Sequence, residues 1–401
     1  MPSKQNAAKH DMQKRILIFS LAYYPSHVSG AEVSIKEITD RIPRTDIAFD
    51  MITLQFDRQH PLVEMVGNVR VYRVKGGGSY ISKVFFPLFA GIGAYRLHRK
   101  FHYDAFWVMM TYMLFPLAFA KLLGIRGPYV LTLQDGDTYE KVFERWFIKP
   151  VAPILNWGFR NATMIQAIST YLATWPKRRG YKYHVEVIPN GASIQSSQEY
   201  PQGDIDALKM KLGRKEGDVY LLSVGRLVHQ KAIDDVIRAL THLPAHIHLV
   251  VAGEGPDKDA LMELAHKEGV AQRVQFVGHV DRTETAKYRK ACDIFVLPSR
   301  SEGQGISFLS TMAAKIPVVA TQEGGIADFL FDAKRNPDKP TTGWAVDKNN
   351  PKQIAAAVKE IIADHERTKV VTETAYTMVI KDYNWDIIAK DMQQKVFSRL
   401  F

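Results

Sequence analysis

Short apolar runs alternate along the chain with longer amphipathic stretches. Such alternation predicts strands that alternate with helices, as in α/β domains with parallel sheets. In the first half, the pattern predicts strands over 15–22, 48–54, 69–74, 105–109, 129–133 and 164–168. In the second half, it predicts strands over 219–224, 247–252, 274–277, 293–297 and 318–321. These sets indicate two doubly wound domains, which would hold a ligand between the carboxyl ends of their strands.

One stretch of different composition separates the two sets of strands. Residues 193–217 are polar and contain proline and glycine, which is typical of a linker. A chain of 401 residues also suits two domains of ordinary size better than one core. We therefore expect a first domain over 1–192 and a second over 218–380, with a last helical segment over 381–401.

Composition and the N-terminal sequence exclude several classes of protein. The single cysteine, Cys292, precludes an intrachain disulfide and a cysteine-rich metal site, and its place beside a predicted strand indicates a buried, inert thiol. Residues 1–15 are polar and do not resemble a cleavable signal, so we expect a cytosolic location. The longest uncharged stretch, 105–120, is shorter than the roughly 20 residues that cross a bilayer and predicts a buried strand followed by a buried helix.

The formal net charge of +11 is unevenly distributed along the chain. Residues 1–190 hold 25 Lys and Arg against 14 Asp and Glu, whereas residues 191–401 hold 28 of each kind. Nucleic acid and an anionic membrane surface are the usual partners of such a basic half. The sequence has no zinc-finger, helix-turn-helix or RNA-recognition signature, so we expect no nucleic acid partner.

One segment of the basic half combines aromatic and basic residues. Residues 80–89 contain four aromatic side chains around Lys83, and Arg96, Arg99 and Lys100 follow. This combination suits docking of the first domain on the cytosolic face of a membrane. A core helix with a solvated basic end fits the same residues equally well, so both interpretations stay open.

The most informative stretch runs from 293 to 330. A predicted strand leads into a polar loop with Glu302, Gly303 and Gly305, and a helix is predicted over 306–314. A glycine loop before a helix is an anion site, because free backbone N–H groups and the positive end of the helix dipole point at the same place. A carboxylate there would repel a bare phosphate. Glu302 therefore indicates that the phosphate carries a sugar, whose hydroxyl groups would donate to the carboxylate.

Other polar groups are predicted at the carboxyl ends of strands. Arg226 and Lys231 follow the strand over 219–224, where two cations can neutralise a diphosphate and stabilise it as a leaving group. The segment 29–32, which contains Gly30, follows the first strand and forms a second backbone nest suited to a phosphate. These groups all point to the cleft between the two predicted sheets.

The order of these motifs is that of a known family. The motifs are SGAE at 29–32, IPNG at 188–191, SVGRLVHQKA at 223–232, AGEGP at 252–256, FVGHV at 276–280 and the stretch from 293. By them, the chain resembles a retaining glycosyltransferase of the GT-B fold, of the family-4 type that uses nucleotide sugars, over nearly its whole length. The resemblance implies two facing Rossmann-like domains. It also implies a last helix, after the sequence YNW at 383–385, that crosses back onto the first domain.

The resemblance implies a donor site that works without a metal or other cofactor. Arg226 and Lys231 would bind the donor diphosphate. Gly30 and the backbone N–H groups of Gly305 and Ile306 would hold the phosphates from the two domains. Arginine, lysine and helix dipoles take the place of a metal in such enzymes. The sequence agrees, since it contains no His and Asp cluster with metal-ligand spacing.

Two matches and two departures concern the rest of the implied donor site. Glu302 matches the first glutamate of the family's E-x7-E motif, near the donor sugar, and Val280 matches a position of backbone contacts to the base. The second glutamate falls on Ser310, which can still make one neutral hydrogen bond to the ribose. The family's histidine after the strand over 129–133 is replaced by Gln134, whose amide can bond a sugar hydroxyl.

Two carboxylates and one alanine complete the candidate residues. Asp135 follows Gln134 directly, and Asp137 lies two positions further, at the end of a predicted strand, where a catalytic carboxylate would face the cleft. A turn and a helix cap before Tyr139 explain the same two residues equally well. Ala232 stands where the resemblance expects a glycine.

The activity that the resemblance implies is transfer of a sugar, with retention, from a nucleotide-diphosphate sugar to a glycan or lipid-linked acceptor. The expected setting is cell-surface polysaccharide or glycolipid synthesis. The leaving diphosphate would take the acceptor proton, so the protein mainly positions the substrates and stabilises the diphosphate. Ser310 and Gln134 motivate an alternative, a non-catalytic nucleotide-sugar-binding paralogue or partner subunit. A GT-B epimerase or phosphorylase is a third hypothesis.

Overall fold

Two sheets with helices on their faces organise the chain in the computed structural model, which describes residues 13–26, 28–193 and 196–401. Fourteen strands lie in these residues: β1 (Lys14–Phe19), β2 (Ile47–Leu54), β3 (Val63–Val66), β4 (Val69–Val74), β5 (Ala105–Met109), β6 (Tyr129–Leu133), β7 (Met164–Ala167), β8 (Val185–Val187), β9 (Val219–Val224), β10 (Ile247–Ala252), β11 (Val274–Gly278), β12 (Ile294–Leu297), β13 (Val318–Ala320) and β14 (Trp344–Ala345).

Fifteen α-helices lie in the same described ranges: α1 (Gly30–Thr39), α2 (Tyr80–Phe101), α3 (Leu114–Leu122), α4 (Tyr139–Phe143), α5 (Ala152–Arg160), α6 (Thr170–Ala173), α7 (Trp175–Arg178), α8 (Gln202–Lys211), α9 (Ile233–Ala239), α10 (Lys258–Lys267), α11 (Arg282–Ala291), α12 (Ile306–Ala313), α13 (Pro351–Ala363), α14 (His365–Asp382) and α15 (Trp385–Asp391). Most of them connect neighbouring parallel strands, which is the arrangement that the alternating pattern predicts.

The first sheet has the strand order β3-β4-β2-β1-β5-β6-β7-β8. All of its neighbouring strands pair in parallel except β3 and β4. Successive residues of a strand point to opposite faces. Leu17 and Phe19 therefore join the core under α2, α3 and α5, whereas Ile16 and Ile18 join the core under α1 and α15.

The second sheet has the strand order β11-β10-β9-β12-β13-β14, and all of its neighbouring strands are parallel. Its central strands are nearly continuous apolar runs, interrupted by His248 in β10 and Ser223 in β9, because helices cover both faces. The fold class is therefore confirmed: two Rossmann-like α/β domains with parallel sheets. In each sheet, the loops that follow the parallel strands meet at one edge.

The end of the chain packs on the first sheet, although it leaves from the second domain. Trp385, at the start of α15, is fully buried, and α15 lies against α1. Beyond α15, the Phe397 ring lies 5.0 Å from the Trp107 ring and 5.7 Å from the Phe49 ring, measured between centroids. Both of these rings belong to strands of the first sheet, so the last segment ties the two halves together.

The predicted strands are all present, with ends shifted by three residues at most. Three short strands were not predicted. β3 is an edge strand with exposed positions, and β8 and β14 have only three and two residues, so none shows a buried apolar run. The stretch 193–217, predicted as a linker, contains α8, whose Ile205 is buried. α8 packs on α11 because its few apolar residues complete the core of the second domain.

Two predictions about single features can also be compared with the fold. Cys292 is buried, and burial raises the pKa of its thiol, as expected of an inert side chain. The uncharged stretch 105–120 forms β5 and most of α3, as predicted. In the described part of the chain, no helix combines the length and the apolar character that crossing a membrane would require.

Candidate functional site

The loop between β12 and α12 has the geometry of an anion site. Gly305 immediately precedes α12 and has a φ of 96°, in the left-handed region that favours glycine. A Cβ atom at this position would also overlap the Phe308 ring, so only glycine fits. The first turn of α12 therefore presents its free N–H groups at the edge of the second sheet.

Glu302 and Lys231 form an ion pair in this loop. Lys231 Nζ donates to Glu302 Oε2 over 2.5 Å, and the two side chains are only 19% and 11% exposed. Lys231 ends the 3₁₀ turn His229–Lys231, which follows β9. The next residue, Ala232, has a φ of 55°, which explains why a glycine is expected there. The pair therefore places the Lys231 ammonium group beside the start of α12, with the Glu302 carboxylate next to it.

Arg226 lies on the same connection between β9 and α9, but it is exposed. Its guanidinium forms neither an ion pair nor a hydrogen bond with any residue that the structure describes. Most other arginines near the site are bound, as Arg300 is to Asp234 and Asp235. Arg226 is therefore a cation that remains available to an anionic ligand.

The start of α1 faces the start of α12 across the two domains. A Cβ built on Gly30, the first residue of α1, would lie 3.8 Å from Ile306 Cδ1. Ile306 itself packs against the core of the first domain. Ser29 and Glu32 form a capping box that fixes the first turn of α1. Two helix N-termini therefore converge on the space beside Lys231, which concentrates positive potential there.

Gln134 is held in a buried network of amides. Gln134 and Asn190 exchange two hydrogen bonds, at 3.3 and 3.1 Å. Gln304, on the loop before α12, accepts from the backbone N–H of Asn190 at 2.7 Å and donates to its carbonyl oxygen at 3.1 Å. The network joins the ends of β6 and β8 to the Glu302 loop. It leaves one N–H and one lone pair of the Gln134 amide for a ligand.

Asp135 is buried where the two domains meet. Its carboxylate accepts a hydrogen bond from the Thr111 hydroxyl at 2.9 Å, and burial raises its pKa to about 6 despite that bond. A Cβ on Gly303 would lie 2.6 Å from the Asp135 carbonyl oxygen, so the glycine permits this close approach. Asp137, in contrast, pairs with Lys141 on the surface, and Thr138 caps α4. The two aspartates therefore differ: only Asp135 lies at the contact between the domains.

Ser310 and Val280 occupy different surroundings from the other candidates. Ser310 is 1% exposed, and its hydroxyl group accepts a hydrogen bond from the backbone N–H of Ser193 at 3.0 Å. It thus holds the crossover between the domains, and its contact with a ribose stays a prediction. Val280 lies between β11 and α11, half-buried against the core of the second domain. No described contact joins Val280 to the Glu302 loop.

Several residues that hold the site together were not found from the sequence. The carbonyl oxygen of Gly136 accepts hydrogen bonds from Gln230 and Ser301 of the second domain. A second set of bonds crosses between the domains nearby: Thr170 to Asp328, and Arg282 to Glu37. These residues lie far apart in the sequence. Gln230, Ser301 and Asp328 fall within the quoted motifs, but nothing in those motifs marks them as contacts between the domains. Among the described residues, no three His, Cys, Asp or Glu side chains converge as a metal site would require.

The two halves of the chain match two family models. Residues 28–196 match the model for glycosyltransferase family 4, and residues 204–378 match the model for glycosyl transferases group 1. An uncharacterised glycosyltransferase of Methanocaldococcus jannaschii is 27% identical, over 94% of this chain and 96% of that protein.

Two further proteins show the range of the similarity. The GDP-mannose-dependent alpha-(1-6)-phosphatidylinositol monomannoside mannosyltransferase of Mycobacterium tuberculosis is 29% identical over 61% of this chain and 64% of its own length. The crystal structure of Anabaena HepE with UDP and glucose superposes with a TM-score of 0.77 at 19% identity, covering 96% of this chain and all of that one. At that identity, the superposition shows the shared GT-B fold.

Proposed function

This chain belongs to the glycosyltransferases that the group 1 and family 4 models describe, and we propose that it moves a sugar from a nucleotide-diphosphate sugar to a lipid-linked or glycan acceptor. The proposed setting is the synthesis of a cell-surface polysaccharide or glycolipid at the cytosolic face of a membrane. The mycobacterial relative, whose name specifies GDP-mannose and phosphatidylinositol monomannoside, supports this setting.

One observation carries the donor part of the proposal. Two helix N-termini, at Gly30 and Ile306, converge beside Lys231, and the unpaired Arg226 follows the same strand as Lys231. Backbone N–H groups and cations bind phosphates, and a diphosphate offers enough oxygens to use all of these groups. Anabaena HepE, which has the same fold, binds UDP. We therefore assign the diphosphate of the donor to this place.

The proposed reaction retains the configuration of the sugar and needs no metal. Glu302 would accept hydrogen bonds from the sugar hydroxyls while its partner Lys231 neutralises the leaving diphosphate. The breaking bond joins the anomeric carbon to the diphosphate oxygen. The acceptor hydroxyl attacks from the same face, and its proton passes to that oxygen. Lys231 and Arg226 would stabilise the charge that develops there, which is where preorganised cations lower a barrier most.

The donor assignment is tested by nucleotide binding. UDP, GDP and ADP, each with and without a sugar, are added to the purified chain, and its melting temperature is measured. A ligand that binds the folded state raises the melting temperature in proportion to its saturation. We expect at least one nucleotide to raise the melting temperature, and we expect the rise to be smaller in the variant Arg226→Ala. If no nucleotide raises it, the donor assignment is wrong.

The exposed face of α2 supports docking of the first domain on a membrane. Six large apolar side chains of this helix are exposed, namely Tyr80, Ile81, Val84, Phe85, Leu88 and Phe89. Lys83 lies among them, and Arg96, Arg99 and Lys100 follow on the same helix. Exposed aromatic and basic side chains on one helix bind anionic bilayers through apolar burial and charge together.

Liposome sedimentation tests the membrane proposal. We expect the chain to sediment with vesicles that contain an anionic phospholipid, less with neutral vesicles, and less at high salt. The variant Tyr80→Ser/Val84→Ser should sediment less. Met210→Ser serves as a control, because Met210 is an equally exposed apolar residue on α8 of the second domain. Equal sedimentation of both variants would contradict docking through α2.

A non-catalytic binding function is the second candidate, and a specific observation favours it. Ser310 and Gln134, which stand where the resemblance expects an acid and a histidine, both make hydrogen bonds within the protein. Slow hydrolysis of a bound nucleotide sugar distinguishes the two functions. A transferase should release the free sugar slowly in the absence of an acceptor, whereas a binding subunit should retain the nucleotide sugar intact.

A further inference from the structure

An apolar cavity lies at the carboxyl edge of the first sheet. Its volume is about 340 Å³, which is within the range of small-ligand pockets, roughly 300–1,000 Å³. Apolar side chains form most of its wall, namely Leu54, Val74, Ile81, Phe85, Phe86 and Phe89. Leu54 ends β2 and Val74 ends β4, whereas the other four belong to the first half of α2. The cavity therefore lies between the carboxyl ends of two strands and the start of a helix.

The wall of the cavity is apolar, but its rim is basic. Lys75 lines the cavity beside Val74. Lys83 is not part of the wall; it follows the lining residue Ser82 in α2 and lies over the Phe56 ring, 5.6 Å from its centroid. Between Glu64 and Asp104, the sequence has no acidic residue. In that interval, the structure pairs Arg70 and Arg73 with carboxylates. It gives Lys75 and Lys83 no carboxylate partner among the described residues. An apolar cavity with this rim suits an apolar chain that carries an anionic head group.

The cavity is close to the site where the donor is assigned. β4, β2 and β1 are neighbours in the first sheet, and strand spacing of about 4.8 Å puts the ends of β4 and β1 about 10 Å apart. Gly30 begins α1, the first helix after β1, eleven positions beyond the end of that strand. A ligand whose tail fills the cavity can thus extend its head group along the sheet edge toward the donor sugar. Three of the residues that line the cavity, Ile81, Phe85 and Phe89, are also exposed on α2.

From this juxtaposition, we infer that the cavity binds the hydrocarbon tail of an acceptor lipid that carries a phosphate-containing head group. The inference rests on the proposed transfer to a lipid-linked acceptor and narrows it to a lipid with an anionic head. The tail would enter from the bilayer on which α2 lies, and Lys75 would hold the phosphate at the rim. The hydroxyl group that receives the sugar would then point to the cleft.

Binding of simple alkyl phosphates tests this inference without knowledge of the natural acceptor. Decyl phosphate and ethyl phosphate are titrated into the full chain by calorimetry, with decyl phosphate kept below its micelle concentration. We expect saturable binding of one decyl phosphate and binding of ethyl phosphate at least tenfold weaker, because only the longer chain fills the cavity. Lys75→Ala should weaken the binding of decyl phosphate severalfold. It should leave the binding of decyl maltoside unchanged, because that compound has the same alkyl chain without the charge.

Variants of the wall locate the binding site. The double variant Ile81→Ser/Phe89→Ser should weaken the binding of decyl phosphate at least tenfold. Both side chains are exposed, so the substitutions should leave the fold intact. Leu122→Ser is the matched control, since Leu122 is an exposed leucine at the end of α3, outside the cavity. Phe85→Ser is a second wall variant should the first fail to fold. Absence of saturable decyl phosphate binding, or equal binding to the wall and control variants, would overturn the inference.

Nucleotide binding separates failure of the inference from failure of the proposed function. If decyl phosphate does not bind but a nucleotide still raises the melting temperature, the tail site is wrong and the donor assignment stands. If decyl phosphate binds and no nucleotide does, the cavity is a lipid site in a protein with another function. In that case, its assignment to an acceptor is wrong.

Discussion

Substitutions in the Lys231–Glu302 pair can separate a catalytic role of Lys231 from a structural role of the same lysine. Breaking a fully buried pair by removing one partner costs about 3–5 kcal/mol of folding stability, whereas exposed pairs contribute about 0.2–1 kcal/mol. The two side chains are 19% and 11% exposed, so Lys231→Ala should cost about 2 kcal/mol by leaving Glu302 without its partner. If Lys231 also stabilises the leaving diphosphate, turnover should fall about 10²–10³-fold, as it does when a preorganised donor is removed.

The double variant Lys231→Ala/Glu302→Gln distinguishes the two contributions. It removes both charges, so it should recover about half of the lost stability, because no unpaired carboxylate remains. Turnover should stay low, because the cation that faces the diphosphate is still missing. Stability is measured by urea unfolding, and turnover by release of the nucleotide from the donor selected in the melting screen. Lys315→Ala is the control, since it breaks an ion pair with Glu373 in which the side chains are 47% and 56% exposed.

Two results would refute this reasoning. Near-normal turnover in Lys231→Ala would show that the lysine does not act on the diphosphate. Recovery of turnover together with stability in the double variant would show that Lys231 serves only to neutralise the charge of the Glu302 carboxylate. The control variant should change stability by less than about 1 kcal/mol and leave turnover unchanged.

Three further substitutions have expected outcomes. Burial raises the pKa of Asp135 to about 6 from an ordinary 3.8, so between these two pH values the folded chain keeps a proton that the unfolded chain releases. Stability therefore falls as the pH rises from about 4 to 6 and stays at the lower level above pH 6. Asp135→Asn should therefore be more stable than the native chain at pH 7, by up to about 3 kcal/mol in urea unfolding, with little difference at pH 4. Ala232→Gly should raise the free energy of unfolding by about 1 kcal/mol because the φ of 55° is strained for alanine, and an unchanged urea midpoint would contradict this. Arg226→Ala should weaken nucleotide diphosphate binding about 10–100-fold in calorimetry without changing stability, because the guanidinium has no described partner to lose.

The fold could be predicted because parallel strands buried on both faces leave a strong signal in the sequence. β10 and β12 are such strands, and their apolar runs give their bounds to within one residue. β3 gave no signal because it lies at an edge of the sheet, where polar side chains are tolerated. α8 was missed because its polar composition resembles a linker, and only the contact of Ile205 with the second domain reveals its role.

The site could be predicted only where a local motif carries the chemistry. Gly305 was found because a left-handed turn before a helix needs glycine at that position, whatever the rest of the fold. The hydrogen-bond partners of Gln134 could not be predicted from the sequence. Its partner Asn190 is 56 positions away, and Gln304 lies 114 positions beyond Asn190. Such pairs form only when two domains close on each other, and one sequence contains no record of that geometry.

Ser310 can be reinterpreted from its hydrogen bond to the crossover segment. At 1% exposure, a glutamate in its place would bury a carboxylate beside the backbone of Ser193, and the transfer of a carboxylate out of water is costly. Serine satisfies the same N–H without that cost. The departure from the expected glutamate is therefore compatible with the proposed donor site, whose phosphate side Lys231 and the start of α12 would form. On this view, the ribose is held by groups other than residue 310, and the loss of an acid there does not by itself indicate loss of activity.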